Sequence, residues 1–130
     1  MTELSLPQSR ATLLNLVEAA VAAHANVIQV RLDGDTAVVE TLATGSVVAS
    51  DTWSVDRCQA VLSATFSLCD GPDDYAYGES RSGRMTGEKV TLPPGLTMVF
   101  VQFFPPRDGQ RHMVARITYD ADTCCGTCGG

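Results

Sequence analysis

The sequence predicts an α+β domain of two layers, an antiparallel sheet with helices packed on one face. Three observations carry this: two segments with helical hydrophobic spacing, an alternating strand pair after the first, and a strand-rich run closing the chain. At 130 residues the chain has the size of one domain, long enough to bury a genuine core. Residues 1–120 are expected to form it, and the Cys/Gly-rich residues 121–130 to be a flexible tail or the start of a linker.

The first helix is read from "SRATLLNLVEAAVAAHA", with Ser9 as its expected N-cap. Leu13, Leu14, Val17, Ala20, Val21 and His24 make its apolar stripe. In "VIQVRL", Ile28, Val30 and Leu32 alternate against Gln29 and Arg31, as a half-buried strand requires. "DGD" turns the chain, so residues 27–42 are expected to be a hairpin. A second helix begins near Ser54, with Val55, Cys58, Leu62, Thr65, Phe66 and Cys69 facing inward, and stops at Asp70–Pro72.

The polar stretch that follows reads as an exposed loop, with one short strand possible in "DDYAYG". "KVTL" is expected to be a strand ended by Pro93-Pro94-Gly95. "LTMVFVQFF" is a stronger one, apolar on both sides and so expected to be covered on both. After "PPRDGQ" the chain returns with Met113, Ala115, Ile117 and Tyr119 on one face and His112, Val114, Arg116 and Thr118 on the other.

A net charge of −6 argues against a nucleic-acid binder, which carries a basic face, and against docking on anionic lipid. No apolar run reaches the roughly 20 residues that span a bilayer, so no membrane insertion is expected. "MTELSLPQSR" lacks the basic and apolar regions of a secretory signal, which makes a cytoplasmic location the expectation. Five cysteines, an odd number, do not suggest a disulfide scaffold.

Cys124, Cys125 and Cys128 are the candidates for a metal site, because Cys125-x-x-Cys128 has one half of a zinc knuckle's spacing. The other half has no source. Cys58 and Cys69 would lie about 16 Å apart along a helix and read as small buried hydrophobes. No metal is therefore expected. "GESRSGRM" at 78–85 matches the glycine spacing of a P-loop, but Arg84 and Met85 replace the lysine and hydroxyl that hold phosphate and Mg²⁺. It reads as a mobile Gly/Ser loop. Asp33 and Asp35 flank a turn glycine and read as turn formers. Neither His24 nor His112 has a carboxylate or nucleophile placed beside it by sequence, so no catalytic set is expected.

The order of elements, with "VEAAVAAHANVIQVRLDGD" at 17–35, the second helix, and "FVQFFPPRDGQRHMVARITYD" at 100–120, resembles the PAS-like N-terminal domain of secretion ATPases. These are the motors of type II secretion, type IV pili and type IV secretion (conjugation). The resemblance covers residues 10–120, and its turn "R-x-D-G" stands here as Arg31-Leu32-Asp33-Gly34. It implies a non-catalytic assembly and regulatory domain that packs on neighbouring motor domains in a ring. Partners would be the other ring subunits and secretion-machinery proteins. This chain would carry no cofactor, while ATP and Mg would serve the parent motor. The family's closing-strand arginine, which can reach a nucleotide phosphate, maps onto Arg116; its second arginine falls on Phe100 or a neighbour. The alternatives are a freestanding acidic adaptor or inhibitor that binds protein, and a small thiol enzyme using the terminal cysteines.

Overall fold

The computed structural model describes residues 6–107 and 109–120, leaving the candidates Cys124, Cys125 and Cys128 and the whole of 121–130 outside the described residues. Helix α1 (Leu6–Ala22) leads into strands β1 (Val27–Asp33), β2 (Thr36–Ala43) and β3 (Ser46–Ser54). Helix α2 (Val55–Ser67) is followed by β4 (Arg81–Met85), β5 (Leu96–Phe103) and β6 (Arg111–Tyr119). The strands form one antiparallel sheet in the order β3-β2-β1-β6-β5-β4. Two three-stranded meanders, each preceded by a helix, thus join edge to edge through β1 and β6. The expected two-layer α+β class is what the chain adopts. None of the described helices is long and apolar enough to cross a membrane.

Helix α1 begins at Leu6, earlier than the Ser9 cap read from sequence. Pro7 sits in the first turn, where its missing N–H breaks no helical bond. Ser9 instead extends the buried stripe of Leu13, Val17 and Ala20, and its Oγ finds no hydrogen-bond partner. The helix ends at Ala22, so His24 lies past the stripe and is exposed. It takes a left-handed conformation (φ 56), with His24 N–H donating to the Val21 carbonyl and Ala25 N–H to the Ala20 carbonyl. That pair of bonds is a Schellman ending with histidine where glycine is usual. Helix α2 starts where the sequence places it. The Ser54 hydroxyl accepts the Arg57 N–H, and Asp56 stands in the first turn.

The expected hairpin of 27–42 forms, with Val27 opposite Leu42, and it continues into a three-stranded meander because Thr44-Gly45, both at positive φ, make the tight turn that brings β3 back beside β2. Three other sequence expectations are corrected. "RSGRM", read as a mobile loop, is the edge strand β4, and "DDYAYG" is not a strand. "KVTL" is irregular: Gly87 (φ 98) and Pro93-Pro94 bracket it, and Val90 and Leu92 tuck against the core instead of entering a ladder.

Gly83 explains how β4 docks. A Cβ at that position would meet Cys69 Sγ at 2.9 Å, so only glycine lets the end of α2 lie this close to the strand. Beside it Phe66, Tyr75 and Phe103 form an aromatic cluster with ring centroids 4.8–5.8 Å apart. The Arg81 guanidinium caps the cluster, 4.9 Å from the Phe66 centroid, and is held in turn by Asp74 and Glu79.

Candidate functional site

The core lies between the helices and one face of the sheet. Ile28, Val30, Val39, Val99, Val101, Phe103, Met113, Ala115 and Ile117 point there and are essentially sealed from solvent. Among the described residues no helix lies over the other face. The expectation that β5 is covered on both sides is met only in part: Val99, Val101 and Phe103 are buried, while Met98, Phe100 and Gln102 are half-buried.

Residues opposed across an antiparallel pair share a face, so the pairing registers map this open side. Arg84 opposes Phe100, Phe100 opposes Arg116, Arg116 opposes Val27, Val27 opposes Leu42, and Leu42 opposes Val47. One continuous row therefore crosses all six strands. It is basic with one aromatic at the β4 end and aliphatic at the β3 end. Val47, 52% exposed, and its neighbour Val48, 48% exposed, are the exposed large hydrophobics of the described chain. None of the row's apolar side chains joins the helix-side core.

The next row is polar: Ser82, Gln102, Val114, Gln29, Glu40, Ser50. Within it Glu40 accepts a hydrogen bond from Gln29 Nε2 at 3.0 Å and pairs with Arg31 at 3.7 Å. Val114 in its middle is only 1% exposed, so this part of the face is covered by the side chains around it. With Glu40 committed, no acidic side chain of the described residues pairs with Arg84 or Arg116. The imbalance is regional. Six of the nine Lys and Arg residues fall in 78–119, with three of the fifteen acidic ones.

Arg116, the one site residue carried by the family resemblance, thus stands exposed on the open face. Its direct neighbour on β5 is Phe100, the position to which the missing second arginine was assigned. The arginine nearest to it in the row comes instead from β4, a strand absent from the sequence reading. Arginine, serine, glycine and methionine give no strand signal on their own. Their order in R-S-G-R-M, long, short, short, long, long, has no period of two to reveal the strand.

His112 and the two cysteines read as buried hydrophobes are sealed. His112 is fully buried; its Nδ1–H donates to the Phe104 carbonyl at 2.6 Å, and its Nε2 accepts from the Tyr77 hydroxyl at 2.7 Å. Burial holds the imidazole pKa below its ordinary value and pushes the Tyr77 phenol up to about 12. Sequence spacing gave no hint of this pair, 35 residues apart. A cleft of about 400 Å³ lies near it, lined by Ser80, Phe104, Pro105, Arg107, Gln110 and Arg111. Burial likewise raises both the Cys58 and Cys69 thiols to about 12, which leaves them protonated and unreactive near neutrality. Gly78–Met85, the P-loop near miss, runs into an edge strand where a phosphate loop would open a helix. Among the described residues no three His, Cys, Asp or Glu side chains gather as a metal site would require. No protein-family model matches this chain, and no curated protein matches it significantly in sequence.

Proposed function

We propose that this chain is a non-catalytic protein-binding domain whose working surface is the open face of the sheet. The observation that carries the reading is the row from Arg84 to Val47, which sets apolar side chains beside two guanidinium groups that no described carboxylate pairs. Half-buried Phe100, Met98, Val27 and Leu42 with exposed Val47 form the sort of apolar surface that marks interaction sites. The buried imidazole and the two unreactive thiols favour binding over chemistry at those groups.

The sequence resemblance supplies a narrower form of this proposal, an assembly domain of a secretion or conjugation ATPase. The partner would then be a neighbouring motor domain, and Arg116, projecting away from the core, would be free to reach toward it. The alternative of a freestanding adaptor uses the same face with another partner.

Site-specific photo-crosslinking in the native cell separates the open face from the rest. A photoreactive residue at Val47 or Phe100 is expected to give discrete protein adducts. The same residue at Glu18 or Ser63, exposed on the helices, is expected to give none. Equal labelling from both sides of the molecule would sink the reading.

A further inference from the structure

Resting on that reading, we infer that the occupant of the open face is an acidic amphipathic helix of a partner protein, held by Arg84 and Arg116 at one end and by Val27, Leu42 and Val47 at the other. A helix is the layer that commonly covers a sheet face, as α1 and α2 do on the opposite side. The dimensions agree. Six strands spaced about 4.8 Å apart make the row roughly 24 Å long, the length of a helix of about sixteen residues. Arg84 and Arg116 are separated by one intervening strand, so their backbones stand about 10 Å apart. Carboxylates seven residues apart on one helix stripe are separated by about 10.5 Å.

Charge decides the sign of the partner. The chain as a whole is acidic, with a net charge of −6, yet this end of the face carries two arginines that no described carboxylate neutralises. A basic partner would meet like charge there, and so would a second copy laid with its own arginine pair on this one. A carboxylate-bearing helix meets two guanidinium forks, which accept carboxylates bidentately. The leucines of its stripe then cover Phe100 and the aliphatic end of the row.

The test uses the full chain and a defined probe. This is a blocked helical peptide of alanine and leucine, with two glutamates seven residues apart on the leucine stripe. A second peptide carries lysines in their place. Backbone-amide spectra titrated with the glutamate peptide are expected to shift at Val27, Leu42, Phe100 and Arg116, with weaker binding as salt rises. The Arg84→Gln/Arg116→Gln double variant, with an unchanged melting temperature, should bind it roughly tenfold more weakly. Arg84→Glu/Arg116→Glu should come to prefer the lysine peptide. Equal binding of both peptides to the wild-type face overturns the acidic-helix inference while leaving a protein-binding face standing. Absence of open-face shifts with either peptide overturns it too, and the crosslinking at Val47 and Phe100 then judges the broader reading. Self-association that broadens the same amides before any peptide is added would show the occupant to be a second copy, which also overturns it.

Discussion

The two faces of this sheet are made from the same strands, residue by residue, and differ in how far they are covered. On β5, Phe103 faces the helices at 1% exposure, edge-on to Phe66 and tilted against Tyr75, while Phe100 faces away and is half-buried. On β6, Ala115 and Ile117 are buried and Arg116 between them is not. The helix side is a closed apolar core, and the open side is a mixed surface that is only partly buried. A side chain's worth to stability therefore depends on which parity of the strand it occupies more than on its hydrophobicity.

The largest test of that contrast is a pair of identical truncations three residues apart. Phe103→Ala removes a ring from the centre of the aromatic cluster and leaves a cavity, at an expected cost of about 3–5 kcal/mol. Phe100→Ala removes the same atoms from a surface that already meets water, and about 1 kcal/mol or less is expected. Denaturant unfolding of both variants decides the matter. Similar losses would mean that the open face is covered within the chain, and the proposed interface would fall with it.

Gly83 tests how tightly the helix layer closes on the sheet's edge. Gly83→Ala places a methyl 2.9 Å from Cys69 Sγ and 3.0 Å from its Cβ, and overpacking of this kind costs about 1–3 kcal/mol. Cys69→Ala in the same chain takes away the sulfur and should recover part of that loss. A fully additive double variant would show that the strain lies elsewhere.

A smaller effect belongs to the buried His112. Its folded pKa lies below the ordinary 6.5, because burial disfavours the imidazolium more than its bond to the Phe104 carbonyl favours it. The unfolded chain therefore binds the proton more readily. The stability owed to this group is fully present above about pH 6.5 and is lost as the pH falls from there through the folded pKa. Unfolding measured between pH 7.5 and 5.5 should show wild type weakening toward acid, and His112→Gln should show a flatter profile. Parallel profiles for the two would remove His112 as the cause.

Much of the fold was legible because both helices and β1, β2, β5 and β6 announce themselves by hydrophobic period. The strands that escaped are the two edges. β3 is almost wholly exposed, so "SVVASDTWS" has little burial pattern to display, and only the Thr-Gly turn before it signalled a return. β4 hides its strand nature in Arg81, whose stem and guanidinium cover Phe66, and in Gly83, whose missing side chain is its contribution. The candidate face was half legible for the same reason. Arg116 could be placed on the outward parity of its strand, but its neighbours come from register, which no local pattern encodes. Arg84 entered the site only once β4 existed. Conversely, the apolar look of "LTMVFVQFF" suggested cover on both sides, where Met98 and Phe100 are only half-buried among the described residues. An apolar run shows that its side chains avoid water in part, and not which layer covers them.

The smallest test asks whether the helix layer is held to the sheet by packing alone or also by the way α1 ends. His24 occupies the left-handed position of the Schellman ending, where a Cβ costs about 1–2 kcal/mol that glycine avoids. Glycine also gives the unfolded chain more freedom, which offsets about 0.4–1 kcal/mol of that gain. His24→Gly should therefore stabilise the protein by under about 1 kcal/mol, a rise of a few degrees in melting temperature for a chain of this size. His24→Val, branched at Cβ and poorly suited to φ 56, should move the melting temperature the other way. Ala25, fully buried one residue later and bonded through its carbonyl to the Tyr119 hydroxyl, ties this turn to β6. If neither substitution shifts the melting temperature, the turn yields locally and the helix layer rests on the Leu13, Val17 and Ala20 stripe. Opposite shifts would make the turn a second fastening between the covered face and its helices, one that the open face does not have.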